Sequence, residues 1–253
     1  SRCQSYSMFL DPAVTNYEMF RSARCPKVLR AQSPVPQMKS VKNEVEIQGF
    51  RNAMLRDGIA MVKFLSWLRP AVEAGGQTEI SVDRKLTALR SEQPLFRDIS
   101  FDTIAAYQEH GAIVHYEATP ETDVELKPEG FLLLDSGAQY LDGTTDITRT
   151  IPLGPVTAEQ RHVYTLVLKG HIQLELCKFP NLASGTQIDA LARQAMWREG
   201  MNYMHGTGHG VGSYLNVHEG PHQIRMEWKP APLVSGMTVT DEPGLYLAGK
   251  FGV

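Results

Sequence analysis

The most informative part of the sequence is residues 132–150, which read LLLDSGAQYLDGTTDITRT. The leucine run before the first aspartate predicts a buried strand, and the β-branched run at residues 147–151 predicts a returning strand. The Asp-Gly pair at residues 142–143 between them is typical of a tight turn. The stretch therefore predicts a β-hairpin with an acid on each arm, Asp135 and Asp146.

The two acids of this hairpin need a physical explanation. Pairing Asp135 directly with Asp146 would centre the turn between Tyr140 and Leu141, slightly before residues 142–143, so we expect an offset or a β-bulge. A carboxylate after three leucines is costly to bury alone, and two neighbouring carboxylates repel each other. A shared divalent metal ion would relieve both costs. The alternative is two solvated residues, one beginning a turn and one capping the second arm.

Two segments further along the chain offer more candidate ligands. Residues 205–212 read HGTGHGVG, and residues 241–246 read DEPGLY after a short β-like stretch. One candidate set of metal ligands combines three carboxylates with one imidazole: Asp135, Asp146, His209 and Glu242. Such a set suits manganese, with cobalt or zinc as alternatives, and bridging carboxylates could hold two ions. The competing interpretation of the glycine-rich run is a flexible loop without a ligand.

The composition is that of an ordinary globular protein. The chain has 253 residues, of which 42% are hydrophobic and 21% charged, with a net charge of -3. Its basic residues are scattered, which excludes a nucleic-acid-binding surface, and no apolar run is long enough to span a membrane. The cysteines Cys3, Cys25 and Cys177 are odd in number and far apart. This spacing argues against a disulfide framework or a thiolate zinc site and favours a reducing compartment.

The chain divides into two parts by pattern. Residues 1–40 are expected to be the end of a preceding domain and a linker, with a short helix at residues 13–23 and an extended segment at 28–39. Residues 41–253 are expected to form a second domain. Because the chain starts with Ser1 rather than Met, we expect it to be an internal piece of a longer protein.

Four helices and several strands are predicted in the second part. The helices begin near Asn43, Thr78, Thr157 and Gly185, and Pro70 is expected to end the first of them. Residues 96–116 are expected to form two strands with a turn near residue 110. Paired helices and clustered hairpins without a βαβ alternation favour the α+β class, with helices packed on a mainly antiparallel sheet.

The remaining histidines carry weaker signals. His115 and His218 each fit a buried, hydrogen-bonded histidine as well as a functional one. His205, four residues before His209, would share its face only in a helix, which the glycines disfavour. Glu219 is expected to be a turn residue. Four more histidines are predicted to lie at the surface or in loops without a role: His110, His162, His171 and His222.

Five ordered segments together resemble one enzyme family. They are HYEATP at 115–120, DSG at 135–137 with DITRT at 146–150, HGTGHGVG at 205–212, VHEGP at 217–221 and EPGLY at 242–246. They resemble the catalytic domain of Xaa-Pro aminopeptidase (aminopeptidase P), in the superfamily of creatinase, prolidase and methionine aminopeptidase. The likeness spans about residues 41–253 and implies the pita-bread fold, with helices on a curved, mainly antiparallel sheet. Residues 1–40 resemble the end of the family's preceding noncatalytic domain.

The resemblance also implies a role for each matching residue. Asp135 would bind one metal ion, Asp146 would bridge two ions, and His209 and Glu242 would hold the second. His115 and His218 would donate hydrogen bonds to the scissile carbonyl or the tetrahedral intermediate. Two further residues would line the pocket for the proline ring: His205 and Tyr246.

The implied reaction releases the N-terminal residue of a peptide that has proline at its second position. A hydroxide held between two metal ions would attack the carbonyl carbon, and Glu242 would carry the proton. The family's usual ion is manganese, and many members are cytosolic homodimers. The resemblance therefore implies a cytoplasmic homodimer acting on peptides, with no nucleic-acid or membrane partner.

The family pattern also leaves alternatives and one departure. A second glutamate is expected about fourteen residues after Glu242, beyond Val253, so we expect the chain alone to lack one metal ligand and to be inactive. Prolidase would cleave only dipeptides, and methionine aminopeptidase is usually more compact. The alternative from another class is a noncatalytic pita-bread module that binds peptides.

Overall fold

A computed structural model of the protein describes residues 7–25 and 27–253, so Cys3 lies outside the described part. The chain forms two compact units, one ending at Lys39 and one running from Ser40 to Val253. This division lies one residue before the boundary expected from the sequence. In the described part of the first unit there are two parallel strands and two short helices, the last of which ends one residue past the division: β1 (Ser7–Leu10), α1 (Tyr17–Ser22), β2 (Lys27–Arg30) and α2 (Val35–Ser40).

The helix α2 corrects the extended conformation expected for residues 28–39. Only the first part of that segment is extended, as β2, and the chain becomes helical from Val35 onward. Pro36 lies in the first turn of α2, where a backbone N–H has no intrahelical acceptor and its loss costs little.

Four helices of the second unit begin close to where the sequence places them. They are α3 (Glu44–Ala74), α4 (Glu79–Ser91), α5 (Ala158–Glu175) and α6 (Gly185–Trp197). Asn43, Thr78 and Thr157 each accept a hydrogen bond from the backbone N–H three residues later, and that residue's side chain accepts one in return. These reciprocal bonds satisfy N–H groups that a helix start leaves without intrahelical partners.

The prediction that Pro70 ends the first helix is wrong. Pro70 lies inside α3, which continues to Ala74 and ends where Gly75 adopts a φ of 84°. Proline cannot donate the backbone hydrogen bond that a helix interior requires. Leu68 and Val72 on either side of Pro70 are each 1% exposed and belong to the same apolar cluster. Their burial holds the helix across the missing bond.

In the described residues the main sheet has four antiparallel strands, one of them central. They are β3 (Phe96–Tyr107), β4 (Phe131–Tyr140), β5 (Gly143–Thr144) and β6 (Ile147–Pro152), and β4 pairs with the other three. The second strand expected before residue 116 is a wrong prediction. After β3 the chain forms a 3₁₀ helix, Gln108–Ala112, instead.

A buried carboxylate explains this turn. Glu79 is fully buried at the start of α4 and accepts a hydrogen bond from the Tyr107 backbone N–H at 2.7 Å. It also contacts His110 Nδ1 at 2.9 Å and accepts from the Tyr116 hydroxyl at 2.9 Å. Because one buried acid binds both ends of this segment, the chain curls around it instead of continuing as a strand.

The hairpin register confirms the expected offset. Asp135 pairs with Thr148, and Tyr140 pairs with Gly143, so the turn consists of Leu141 and Asp142. Asp146 therefore lies two residues before the partner of Asp135. Asp146 lies just before β6 rather than within a strand, and both carboxylates line the same cavity.

Apolar clusters lie on both sides of β4. Leu132 and Leu134 belong to a cluster with residues of α3 and α4, whereas Phe131 packs with residues of α5 and α6. The remaining strands form two short antiparallel pairs: β7 (Gly208–Gly210) with β8 (Glu219–Ile224), and β9 (Tyr246–Leu247) with β10 (Phe251–Gly252). The α+β prediction is confirmed. Among the described residues, no helix has the length and apolar character needed to cross a membrane.

Candidate active site

A glycine brings the strand of His209 against the segment of Glu242. The Glu242 N–H donates to Thr207 O at 2.7 Å, and the Thr240 N–H donates to His209 O at 2.9 Å. A Cβ added to Gly208 would lie 2.0 Å from Thr240 O. Only glycine allows this approach, so the glycine-rich run is a packed strand rather than a flexible loop.

Three candidate ligands converge at one point. One ligand atom each from Asp146, His209 and Glu242 lies within 4.8 Å of the other two. His209 Nε2 is 3.3 Å from Asp146 Oδ2 and 3.0 Å from Glu242 Oε1. The side chain of Asp146 is 7% exposed, that of His209 13% and that of Glu242 30%, so water screens their charges only partly. The fourth candidate, Asp135, is not a member of this group of three but lines the same cavity.

The donor set fits a divalent metal ion. Among the described residues, Asp135 Oδ1, His209 Nε2 and Glu242 Oε1 are buried without a hydrogen-bond partner. The opposite ring nitrogen, His209 Nδ1, donates to Gly210 O at 2.8 Å, so the neutral ring would present the lone pair of Nε2 to a metal ion. Buried polar atoms that lack partners are what a metal ion would satisfy, and carboxylate with imidazole is a suitable ligand chemistry.

The charges of these groups shift one another's pKa values. Burial would lower the pKa of His209, but the carboxylates of Asp146 and Glu242 outweigh burial and raise it to about 10. Burial would raise the pKa of Glu242, but His209 lowers it. Burial and then the charge of Asp146 raise the pKa of Asp135 to about 7. In the absence of a cation, a proton on His209 therefore balances its two acids.

A single cavity of about 1090 Å³ contains the site. Its lining includes all eight positions that the sequence singled out for the site: His115, Asp135, Asp146, His205, His209, His218, Glu242 and Tyr246. Residues from six separate segments thus meet at one surface. Their individual chemical roles stay predictions.

The histidines differ in how they are held. His205 Nδ1 donates to Gly206 O, so its Nε2 accepts from the Tyr246 hydroxyl, both at 2.8 Å. Burial lowers the pKa of His205 and of His218, which favours neutral rings. The His218 ring lies edge-on to His209 with centroids 4.4 Å apart. His115 has a left-handed φ of 57°, an unusual conformation for a residue other than glycine.

Two expectations about other residues are wrong. Glu219 is not a turn residue but the first residue of β8, where it is buried with its Oε1 2.5 Å from Lys42 Nζ. His222 is 1% exposed, and its Nε2 donates to Thr238 O at 2.7 Å. His171 lines the cavity, with Nδ1 3.2 Å from Asp241 Oδ2. The His171 side chain is 43% exposed, so the structure does not contradict the surface position expected for it.

Asp241 was not identified from the sequence as a site residue. Burial raises the pKa of its carboxyl to about 6, and both of its oxygens are buried. Its Oδ2 lies 3.2 Å from His171 Nδ1, whereas Oε1 of the next residue, Glu242, lies 3.0 Å from His209 Nε2. The sequence shows two adjacent acids in the DEPG motif at residues 241–244, but it does not show which of them meets His209 and which meets His171.

The chain matches a known family over most of its length. Residues 48–253 match the family described as metallopeptidase family M24. The chain belongs to metallopeptidase family M24. It is 44% identical to "Aminopeptidase P1" of Lotus japonicus, over 97% of this chain and 41% of that protein. It is 43% identical to "Xaa-Pro aminopeptidase 1" of Dictyostelium discoideum, over 99% and 40% respectively. The chain thus spans about two-fifths of the length of these M24 relatives.

Solved structures of M24 proteins have the same fold. An X-prolyl aminopeptidase from Caenorhabditis elegans, described as a cytosolic enzyme with a di-nuclear active site, superposes with a TM-score of 0.88. It is 39% identical and matches 98% of this chain and 40% of its own. A prolidase from Pyrococcus furiosus has a TM-score of 0.84 at 25% identity, over 98% of this chain and 70% of its own. The pita-bread fold and the family resemblance expected from the motifs are both confirmed.

The raised pKa of Asp135 predicts a pH-dependent stability of the metal-free protein. Unfolded, Asp135 ionises near its ordinary pKa of 3.8, whereas folded it ionises near 7. Ionisation therefore favours the unfolded state increasingly between these two values and fully above the higher one. We expect Asp135→Asn to raise the free energy of unfolding at pH 8, with a gain that shrinks toward pH 4.

Denaturant unfolding in the presence of a chelator at pH 4, 6 and 8 measures this gain. The control is Asp142→Asn on the same hairpin, since Arg56 lowers the pKa of Asp142. Its charge stabilises the fold above the ordinary pKa, and this stability is lost as the pH falls through the folded pKa, so the control should lose stability at pH 8. A pH-independent effect of Asp135→Asn would contradict the prediction.

Proposed function

We propose that the protein is an Xaa-Pro aminopeptidase, which releases the N-terminal residue from peptides with proline at the second position. The observation that carries the proposal is the convergence of Asp146, His209 and Glu242 in a cavity that Asp135 also lines. The same cavity is lined by three further histidines: His115, His205 and His218. The names of the M24 relatives supply the substrate class. We also propose that residues 41–253 are the catalytic domain and residues 1–40 the end of a preceding noncatalytic domain.

The proposed cofactor is a pair of divalent ions, with manganese as the native metal and cobalt or zinc as alternatives. Asp135, Asp146, His209 and Glu242 would hold them, as their buried oxygen and imidazole donors suit such ions. When bound, the metal supplies Lewis-acid polarisation and lowers the pKa of water. A di-nuclear site in the Caenorhabditis elegans neighbour supports the number of ions.

The residues around the proposed metal site also have proposed roles. His115 and His218 donate hydrogen bonds to the carbonyl oxygen of the scissile bond as it gains negative charge. Glu242 takes a proton from the attacking water and returns it to the leaving imino nitrogen of proline. His205 and Tyr246, held to each other at 2.8 Å, form one wall of the proline pocket.

Two further proposals concern the cellular location and the oligomeric state of the protein. We propose a cytoplasmic location, supported by the cytosolic description of the Caenorhabditis elegans neighbour and by cysteines too few and too dispersed for a disulfide framework. We also propose a homodimer, which rests on the family resemblance alone. Peptides are the proposed partners, and neither nucleic acid nor membrane is proposed.

A peptide panel tests the function directly. The complete protein, loaded with manganese, is given Xaa-Pro-Xaa tripeptides, Xaa-Pro dipeptides and Xaa-Ala-Xaa tripeptides. Cleavage of the first group in preference to the third supports the proposal. Cleavage confined to dipeptides would identify a prolidase instead, an activity named for several structural neighbours. Absence of both cleavage and stoichiometric metal would identify a noncatalytic peptide-binding module.

Replacement of His218 separates catalysis from metal binding. Because His218 is proposed to donate to the substrate, we expect His218→Ala to lower kcat by on the order of a hundredfold while the metal content stays unchanged. Metal analysis of the purified variant beside steady-state kinetics measures both quantities. Loss of metal in this variant would show that His218 is a ligand and that the assignment is wrong.

A further inference from the structure

The guanidinium of Arg193 on α6 is almost completely buried and fully hydrogen-bonded. Arg193 is 1% exposed. Two of its N–H groups donate to Asp189, at 2.6 Å to Oδ2 and 3.3 Å to Oδ1. The other three donate to Asn202 Oδ1 at 3.0 Å, Tyr203 O at 2.6 Å and His205 O at 3.0 Å. Its five donors are therefore all used, mostly by the segment that follows α6.

Aromatic and hydroxyl contacts add to this arrangement. The Arg193 guanidinium carbon lies 3.8 Å from the centroid of the Tyr203 ring. The Thr207 hydroxyl donates to Asp189 Oδ1, and the Tyr203 hydroxyl therefore donates to Thr207 Oγ1. Tyr203, Thr207 and Asp189 are at most 2% exposed. We call residues 189, 193, 203 and 207 the Arg193 cluster.

The Arg193 cluster is connected to the active site through the backbone. It holds the carbonyl groups of Tyr203 and His205 on one side of residues 203–207. On the other side, Thr207 O accepts the N–H of Glu242 at 2.7 Å. The same segment carries the His205 ring and leads directly to His209. Displacement of this segment would therefore move a proposed metal ligand and the wall of the proline pocket together.

Lysine could not replace this arginine. The planar guanidinium donates in two directions at once, to a carboxylate and to two carbonyl groups, whereas an ammonium has three donors at a single point. A purely stabilising ion pair would need only Asp189, since the Asp189–Arg193 pair lies within one helix. The three donors directed at residues 202–205 are more than that pair requires.

We propose that Arg193 is a positioning residue, which holds residues 203–207 so that His205, His209 and Glu242 keep their mutual geometry. The catalytic consequence rests on the proposed function, whereas the structural consequence does not. Arg193 itself does not belong to the residues that line the cavity. Its replacement should therefore act on substrate and metal only through the backbone that it holds.

The test uses Arg193→Lys in the complete protein, with Leu86→Ala as the control. Leu86 is fully buried in the α3–α4 cluster, so the control lowers Tm without contacting residues 203–207. Three quantities are measured at a temperature where both variants are folded: amide hydrogen exchange, the Kd for manganese, and kcat and KM for an Xaa-Pro tripeptide. Should Arg193→Lys fail to fold, Thr207→Val removes the hydroxyl bonds of the cluster at similar volume.

We expect Arg193→Lys to speed exchange of the Thr207 and Glu242 amides and to raise the manganese Kd and KM by about tenfold each. Leu86→Ala should lower Tm but leave amide exchange, the manganese Kd and KM unchanged. If Arg193→Lys lowers Tm and likewise leaves these quantities unchanged, the proposal is overturned. If the unaltered protein neither binds manganese nor cleaves the peptide, the proposed function fails, and amide exchange alone still decides whether Arg193 positions this segment.

Discussion

His209→Ala is expected to abolish peptide cleavage, with a loss on the order of a thousandfold or more in kcat/KM. His209 Nε2 lies within 3.3 Å of both Asp146 and Glu242, so its removal takes away the neutral ligand between two acids. The metal content of the purified variant should fall with the activity. The far-UV circular dichroism should stay the same, because the imidazole serves the metal rather than an apolar cluster.

His162→Ala is the matched control for this variant. His162 is also a histidine paired with a glutamate, Glu199, but its side chain is 54% exposed on α5. Its removal should leave both metal content and kcat/KM unchanged, since exposed ion pairs contribute little. If His209→Ala keeps more than about a tenth of the activity, the assignment of His209 as a required ligand fails.

Asp57→Asn is expected to lower the free energy of unfolding by about 3–5 kcal/mol. Asp57 on α3 and Arg90 on α4 are both 0% exposed, with Nε–Oδ1 and Nη2–Oδ2 distances of 2.7 and 3.0 Å. Without the carboxylate, a guanidinium charge stays buried without its counterion. Asp57 also accepts from the hydroxyls of Tyr140 and Thr145 on the hairpin that carries Asp135 and Asp146, so its loss loosens the support of that hairpin.

The pair Lys63–Glu92 joins the same region of the two helices at the surface and provides the control. These side chains are 51% and 56% exposed, so Lys63→Ala should cost less than about 1 kcal/mol. Denaturant unfolding of both variants measures the difference. A double variant, Asp57→Leu with Arg90→Met, should recover much of the loss, because apolar residues leave no charge unpaired. Equal small costs for Asp57→Asn and Lys63→Ala would contradict the prediction.

Short-range signals in the sequence identified the helix starts correctly. Asn43, Thr78 and Thr157 form capping bonds to residues three positions ahead, so all participants are visible in a four-residue window. The offset of the hairpin was likewise expected from a short stretch of sequence, because the midpoint between Asp135 and Asp146 does not coincide with residues 142–143. In contrast, the continuation of α3 through Pro70 depends on apolar partners in α4 and the sheet, which no local window contains.

The sequence by itself determined the α+β class, the hairpin with its two acids and the positions of the candidate ligands, because each rests on local pattern or on a motif with fixed spacing. Only the tertiary structure decided which polar residues are buried with a partner. Asp57 meets Arg90 across 33 positions, and Lys42 meets Glu219 across 177. A charge can be buried only when a distant segment supplies its counterion, and that supply depends on how the whole chain packs.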